Sequence, residues 1–331
     1  MIDKPKNEGR ILNAVSGRSV YLIRLIGTLV ALVLLIYLLS QQGWEEIVNA
    51  VRMIPIWVLL LSQGLIFVSR FCVSGRWQVL LRSTGANISA RQSTRITFAG
   101  LFASNFLPTT IGGDVVRLAG ALQLNIDVAV STASLIVDRL VGMVGMGMAL
   151  LISIPVLLNN RILEGLEISG SHLGLPSIGV ISIGHWWQKI RDRSLRFLHR
   201  LKEALSIWVS HPRGLLESLG FTWVHMLCIF GSIWLLLWGL GEDVSFIMVG
   251  GLYSIVYFIT LLPLSINGYG IQEVAMMYML SSVGEVSMQS GLTVALLFRT
   301  MMILASIPGA FFLSDLLPGA KSQTNDVEIG N

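Results

Sequence analysis

The chain has 331 residues, of which 53% are hydrophobic and only 13% charged, with a mean hydropathy of +0.73. That is about half the charge fraction of an ordinary soluble domain, which excludes a soluble globular protein and points to an integral membrane protein with little soluble mass. The net charge of +4 is modest and no groove-reading motif or basic aromatic stripe is present, so nucleic-acid binding is excluded and Lys and Arg are read as reporters of topology.

Residues 1–19 carry Lys4, Lys6, Arg10 and Arg18 ahead of an apolar run, Val20–Leu39. The run is too long for a signal-peptide core and no A-x-A site follows, so it reads as an uncleaved first span with a cytoplasmic N-terminus. A helix needs about 20 apolar residues to cross a bilayer. By that measure spans are expected over 20–39, 55–73, 129–157, 219–240, 244–264 and 291–314. Arg70 and Arg76 sit toward the end of the second of these and read as snorkelling cations, with Trp77 as an interfacial anchor. Arg76, Arg82, Arg91 and Arg95 set that end in the cytoplasm. Cys72 and Cys228 lie in apolar runs with no CxxC or His/Cys cluster, so they read as small buried hydrophobes, and neither a metal nor a cofactor is expected. His225, inside an apolar helix, is read as structural.

Two shorter elements, 93–122 and 265–282, are interrupted. The stretch 172–188 is weakly apolar and either crosses the membrane or lies on its surface. The strongly basic segment 188–203 follows, read either as an amphipathic surface helix or as a loop that only fixes orientation; beyond Pro318 the tail is polar. The expectation is an all-α polytopic bundle of about 6–8 spans: a cytoplasmic segment 1–19, one membrane domain over 20–317 and a polar tail 318–331.

The interrupted elements repeat each other. "NFLPTTIGG" (Asn105–Gly113) and "TLLPLSING" (Thr260–Gly268) share the form L-P-x-[ST]-I-x-G. Each is followed by an acid, Asp114 or Glu273, and then by a helix containing an Arg, Arg139 or Arg299. Pro-to-Arg spacings are 31 and 36 residues. An internal duplication is inferred, with halves at about 55–157 and 219–314, parallel or inverted being open. Irregular backbone at membrane depth must be buried in protein or line a wet cavity. Paired interruptions in corresponding halves point to a transporter's binding site. Pro108 and Pro263 block helix continuation, while Gly112, Gly113, Asn267, Gly268 and Gly270 allow tight turns.

A charge near the bilayer midplane costs at least ~2.5–3.5 kcal/mol on insertion scales, so it is paired or faces water. Pairs Arg139–Asp114 and Arg299–Glu273 are expected; Asp138 and Arg139, being adjacent, face different ways. The other reading, compatible with the first, is that Arg117, Arg139 and Arg299 attract an anionic headgroup while Asp114, Asp138 and Glu273 balance charge or hold a cationic group.

"NFLPTTIGGDVVR", "LIVDRLVG" and "LLPLSINGYGIQE", with "GRWQVLLRSTG" (75–85), resemble the signature of the lysylphosphatidylglycerol synthase transmembrane-region family, flippase-like membrane proteins, over roughly Val20–Leu316. The family pattern maps onto Asn105, Pro108, Gly112, Gly113, Asp114, Arg117, Asp138 and Arg139, and onto Pro263, Gly268, Gly270 and Glu273. Two departures are visible: Asn267-Gly268 replaces a Gly-Gly pair, and Gln272 stands where the family usually has an Arg. The resemblance implies flipping of a polar-headgroup lipid, anionic, aminoacylated or polyprenyl-linked. The family's founding members make that lipid in a separate soluble domain, for which this chain leaves no room, so synthase activity is not expected.

Three functions follow. A lipid transporter in the cell membrane would use the charged residues above; lacking a Walker A motif it would run downhill or couple to an ion, with Asp138 and Glu273 as the carboxylates to protonate. A membrane enzyme such as a lipid-linked glycosyltransferase is disfavoured by the absence of D-x-D, G-x-S-x-G and H-E-x-x-H. A non-catalytic accessory subunit of a lipid or glycolipid pathway, docking a partner on the basic segment, is the alternative.

Overall fold

The structure is a computed structural model that describes residue 49 and residues 51–107, 112–159, 212–262 and 266–316. Among these residues every regular element is helical. The expectations placed on 1–19, 20–39, 172–188, 188–203 and 318–331, and the residues Pro108 and Pro263, lie outside them.

Helix α1 (Ile56–Ser83) starts directly after Pro55 and ends in a turn where Gly85 takes φ 85°. It runs ten residues past the expected 55–73 because its C-terminal turns, with Ser74, Arg76, Trp77, Leu80 and Leu81 buried, are covered by neighbouring helices rather than left as a loop. Helix α2 (Ala90–Ser104) is capped by Ser89, whose side chain and that of Gln92 exchange bonds with each other's backbone N–H. The chain breaks after Asn105, and α3 (Gly112–Gln123) and α4 (Val128–Asn159) follow. The second series is α5 (Pro212–Gly239), α6 (Phe246–Thr260), a 3₁₀ turn (Ile266–Gly268), α7 (Ile271–Ser282), α8 (Met288–Ser306) and α9 (Pro308–Leu316). Four helical stretches are long and apolar enough to cross a membrane, 56–83, 128–158, 212–239 and 288–313, with 246–260 shorter. Their outer faces expose Leu60, Phe71, Leu151, Ile152 and Leu227, as contact with lipid requires. The main core lies between α5, α6 and α8, around Ile233, Leu236, Leu237, Val249 and Phe298.

The duplication is visible element by element. Helices α1 and α5 each have 28 residues, α2 and α6 each 15, and α3 and α7 each 12. The turns match too: Gly85 (φ 85°) answers to Gly241 (φ 82°), and Asn125 (φ 56°) to Glu285 (φ 56°). Asp114 and Glu273 are each the third residue of their helix, and Arg139 and Arg299 each the twelfth of theirs. The longer Pro-to-Arg spacing of the second half arises at the hairpin tip, where helix α7 starts eight residues after its Pro and α3 only four, and in the turn before α8, which is one residue longer.

The halves are inverted. Gly214 on α5 packs on Ser83, Ser232 accepts a bond from Ser62, and Gly239 packs on Ile54 and Val58, so α1 and α5 run antiparallel along their whole length. Equivalent helices that run oppositely are related by a two-fold axis in the membrane plane. The axis passes the midpoints: Ser69 and His225, each the fourteenth residue of its helix, are hydrogen-bonded to each other, Oγ to Nδ1, at 2.7 Å.

Helices α2 and α3 also run antiparallel, as a re-entrant hairpin that enters and leaves on one side. A methyl group at Gly113 would stand 2.6 Å from Gly100 O, and one at Gly120 would stand 2.8 Å from Ile96, so only glycine lets the two backbones approach this closely. Helices α6 and α7 form the second hairpin, with Gly284 beyond the end of α7 packed against Leu252 early in α6. It enters from the opposite side. Arg82, Arg91 and Arg213 therefore lie at one end of the bundle, and Glu242, Asp243 and Glu285, with Arg52, at the other.

Candidate functional site

The expected charges fall into two clusters. In the first half, Asp138 on α4 takes Arg76 Nε on Oδ1 at 2.6 Å and Arg117 Nη1 on Oδ2 at 3.0 Å. The same Arg117 nitrogen reaches Asp114 Oδ1 at 3.2 Å, and Asp114 Oδ2 takes Arg139 Nη2 at 2.5 Å. Asp138 and Arg139 face different neighbours, as their adjacency required. The Arg117 guanidinium lies 4.6 Å from the Trp77 ring, whose Nε1 donates to Ser134 Oγ at 3.1 Å. Arg76 is therefore a buried ion-pair member rather than a snorkelling cation, and Trp77, with no exposed surface, is a core residue rather than an interfacial anchor. Sequence position alone misread both, because α1 continues well beyond the expected span.

In the second half the same positions are apolar or small. Arg76, Arg117 and Asp138 correspond by helix position to Ser232, Met276 and Phe298, all buried. Only the outer pair is kept: Arg299 Nε donates to Glu273 Oε1. Arg299 also donates to Gly268 O at 3.2 Å and reaches Asn267 O at 3.5 Å, with its guanidinium 4.8 Å from the Tyr269 ring. Those carbonyls turn inward because Asn267 (φ 50°), Gly268 (φ 72°) and Gly270 (φ 78°) all adopt left-handed backbone, which Asn tolerates in place of Gly. Asp138 has both oxygens engaged by arginines, whereas Glu273 Oε2 is buried with no partner among the described residues.

The hairpin tips meet. Tyr269 Oη donates to Asn105 O at 3.4 Å, and Asn105 Nδ2 donates to Ser306 Oγ at 2.8 Å. Beside this contact lies a cavity of about 250 Å³. Its walls are Leu101, Ser104 and Asn105 of the first hairpin, Tyr253, Tyr257, Thr260, Asn267, Gly268 and Gln272 of the second, and Arg299 and Met302 of α8. Arg70 of α1 completes it, about 21 Å along a helix of about 42 Å, next to the two-fold axis. Its Nη2 rests on Met302 Sδ at 2.6 Å. Arg70 is thus a mid-depth cavity residue, which sequence reading placed near the cytoplasmic end. The signal that could have found it is its helix position, one residue past the midpoint of α1.

Of the expected site residues, Asn105, Asn267, Gly268 and Arg299 line this cavity, and Glu273 adjoins it through Arg299. Gly270 caps α7, and Gly112 and Gly113 pack inside the first hairpin. Asp114 and Arg139 instead border a second, apolar groove of about 390 Å³ between α3 and α4, lined by Leu118, Leu135, Ile136, Leu140 and Met143. Arg117 and Asp138 line neither.

The sequence model of the family described as lysylphosphatidylglycerol synthase TM region matches residues 24–309. No curated protein matches the chain. The family match and the apolar helices make this a multi-pass membrane protein with a role connected to membrane lipids.

Proposed function

The chain belongs to the lysylphosphatidylglycerol synthase TM-region family, and from that premise we propose that it is a lipid flippase, not an enzyme, which passes a polar headgroup through the cavity between its two hairpin tips. The observation that carries this reading is the placement of a polar, arginine-bearing cavity at mid-depth, between two re-entrant hairpins of opposite orientation. Inverted repeats around a midplane site are the architecture of alternating access, in which one half rocks against the other and opens the site to each side in turn. The antiparallel pair α1–α5 is the pivot around which such rocking would occur. The substrate is an anionic, aminoacylated or polyprenyl-linked lipid, whose chains stay in the bilayer while the headgroup crosses. The arginine-rich end of the bundle is cytoplasmic by the bias of Lys and Arg, in a cell membrane, with the N-terminus on the same side.

The test is transbilayer movement of labelled anionic, aminoacylated and neutral lipids in proteoliposomes. The wild type is expected to move at least one of them, and Arg139→Leu/Arg299→Leu to lose that movement. Equal movement by the double variant would overturn the role of the charges. No movement of any lipid would turn the reading toward an accessory subunit.

A further inference from the structure

Beyond Arg76, Arg117 and Asp138, the two-fold relation between the halves exposes a further charged residue whose counterpart is apolar. Arg70 is the fifteenth residue of α1; the fifteenth residue of α5 is Met226, fully buried in the main core. The fold thus accepts an apolar side chain at this position, and in one half only it carries a guanidinium. That guanidinium has no carboxylate within ion-pair distance among the described residues. Among the described residues the guanidinium's Nε is buried and unbonded, and the one acceptor that Arg70 meets is the thioether of Met302, a weak one. Met302 lies three residues, about one helical turn, after Arg299 on α8, and Arg70 and Arg299 both line the same cavity.

Among the described residues the cavity lining contains these two arginines and no carboxylate, and the one acid paired with either is Glu273. The undescribed tip residues 108–111 and 263–265 carry no charge. Among the described residues the site therefore holds one positive charge in excess at membrane depth. An unpaired charge there is costly, and such residues mark places where a substrate supplies the partner. Arginine's planar fork matches a phosphate in two parallel bonds, and the Tyr257 hydroxyl and the Gln272 amide line the same cavity as further donors, while the Thr260 hydroxyl already donates to Tyr257 O at 2.7 Å. At about 250 Å³ the cavity is below the ~300–1,000 Å³ of sites that enclose a whole drug-sized ligand, so it fits a headgroup and leaves the chains outside.

We propose that Arg70, with Arg299, forms a site for a phosphate-bearing anion, and that Arg70 selects net-anionic over zwitterionic headgroups. This rests on the transport reading for its purpose, but not for its test. The full chain in nanodiscs of neutral, uncharged-headgroup lipid is titrated with dihexanoyl phosphatidylglycerol, dihexanoyl phosphatidylcholine and inorganic phosphate, and binding is followed by thermal stability. The wild type should be stabilised by the anionic lipid at concentrations at least tenfold below those at which the zwitterionic one acts. Arg70→Met should lose that preference, weakening anionic-lipid binding at least tenfold, while Arg70→Lys keeps part of it. Unliganded Arg70→Met should melt at or above the wild-type temperature, since Met fits the equivalent position and removes an uncompensated charge. Stabilisation by inorganic phosphate alone at similar concentration would identify a free anion as a ligand of the same site. Equal binding of the anionic lipid by wild type and Arg70→Met, equal binding of both lipids by the wild type, or a marked fall in unliganded stability of Arg70→Met would overturn the proposal. If binding is lost as expected but proteoliposomes show no lipid movement, the site stands and the transport reading falls.

Discussion

At the scale of single residues, the buried network of the first half is held together by Asp138. It is 2% exposed and is the only acid within ion-pair distance of Arg76 among the described residues. Removing one member of a buried ion pair leaves the other charged and unpaired, at a cost of about 3–5 kcal/mol. Asp138→Asn should therefore lower the unfolding midpoint in detergent markedly. The combined replacement Arg76→Ser/Arg117→Met/Asp138→Phe, which copies the second half, should recover a large part of that loss. If Asp138→Asn alone leaves thermal unfolding unchanged, the network is not structural. Glu273 behaves differently, since its Oε2 is unengaged and its partner Arg299 faces the cavity. Glu273→Gln is expected to spare stability more than Asp138→Asn does, while slowing lipid movement about tenfold, the effect of ~1.4 kcal/mol on the barrier.

At the scale of elements, the two hairpins are made by close backbone contact and by caps. Gly113→Ala would set a methyl 2.6 Å from Gly100 O on the facing helix, with no flexible side chain to give way. Overpacking of this kind costs about 1–3 kcal/mol, and it should appear as a lower unfolding midpoint. The hairpins also make a topological prediction. Cys72 and Cys228 are buried, so single cysteines can be added after replacing both with Ala. Ser89→Cys and Asn125→Cys, before and after the first hairpin, should label from one side of the membrane. Asp243→Cys and Glu285→Cys should label from the other. Labelling of Ser89→Cys and Asn125→Cys from opposite sides would mean that 90–123 crosses completely.

At the scale of the molecule, the inverted halves share a frame but divide its uses. The first half spends its charges on the network that ties α1, α3 and α4 together. The second keeps a hydrophobic core and turns its single arginine pair to the central cavity. The apolar groove between α3 and α4 opens beside Asp114 and Arg139, outside the central cavity. If lipid chains pass along it, Leu140→Trp should slow lipid movement several-fold with little change in unfolding midpoint; unchanged movement would remove the groove from the pathway.

Class, duplication and outer ion pairs are legible in the order of the amino acids alone. Apolar length and low charge demand a helical membrane bundle, and the paired L-P-x-[ST]-I-x-G motifs with a following acid and Arg are local features that survive in one dimension. Arg139–Asp114 and Arg299–Glu273 were legible because a buried charge needs a partner and each half offered one at the same spacing. The direction of the repeat was not legible, because hydrophobic periodicity is the same whichever way a helix runs; it emerged from the antiparallel contact of α1 with α5. Arg70 and Arg76 look alike in sequence, six residues apart on one helix. Only packing gave Arg76 a carboxylate from a helix some sixty residues away and left Arg70 facing a cavity built from both halves, since the partners of a buried charge are chosen by tertiary neighbours and not by the chain around it.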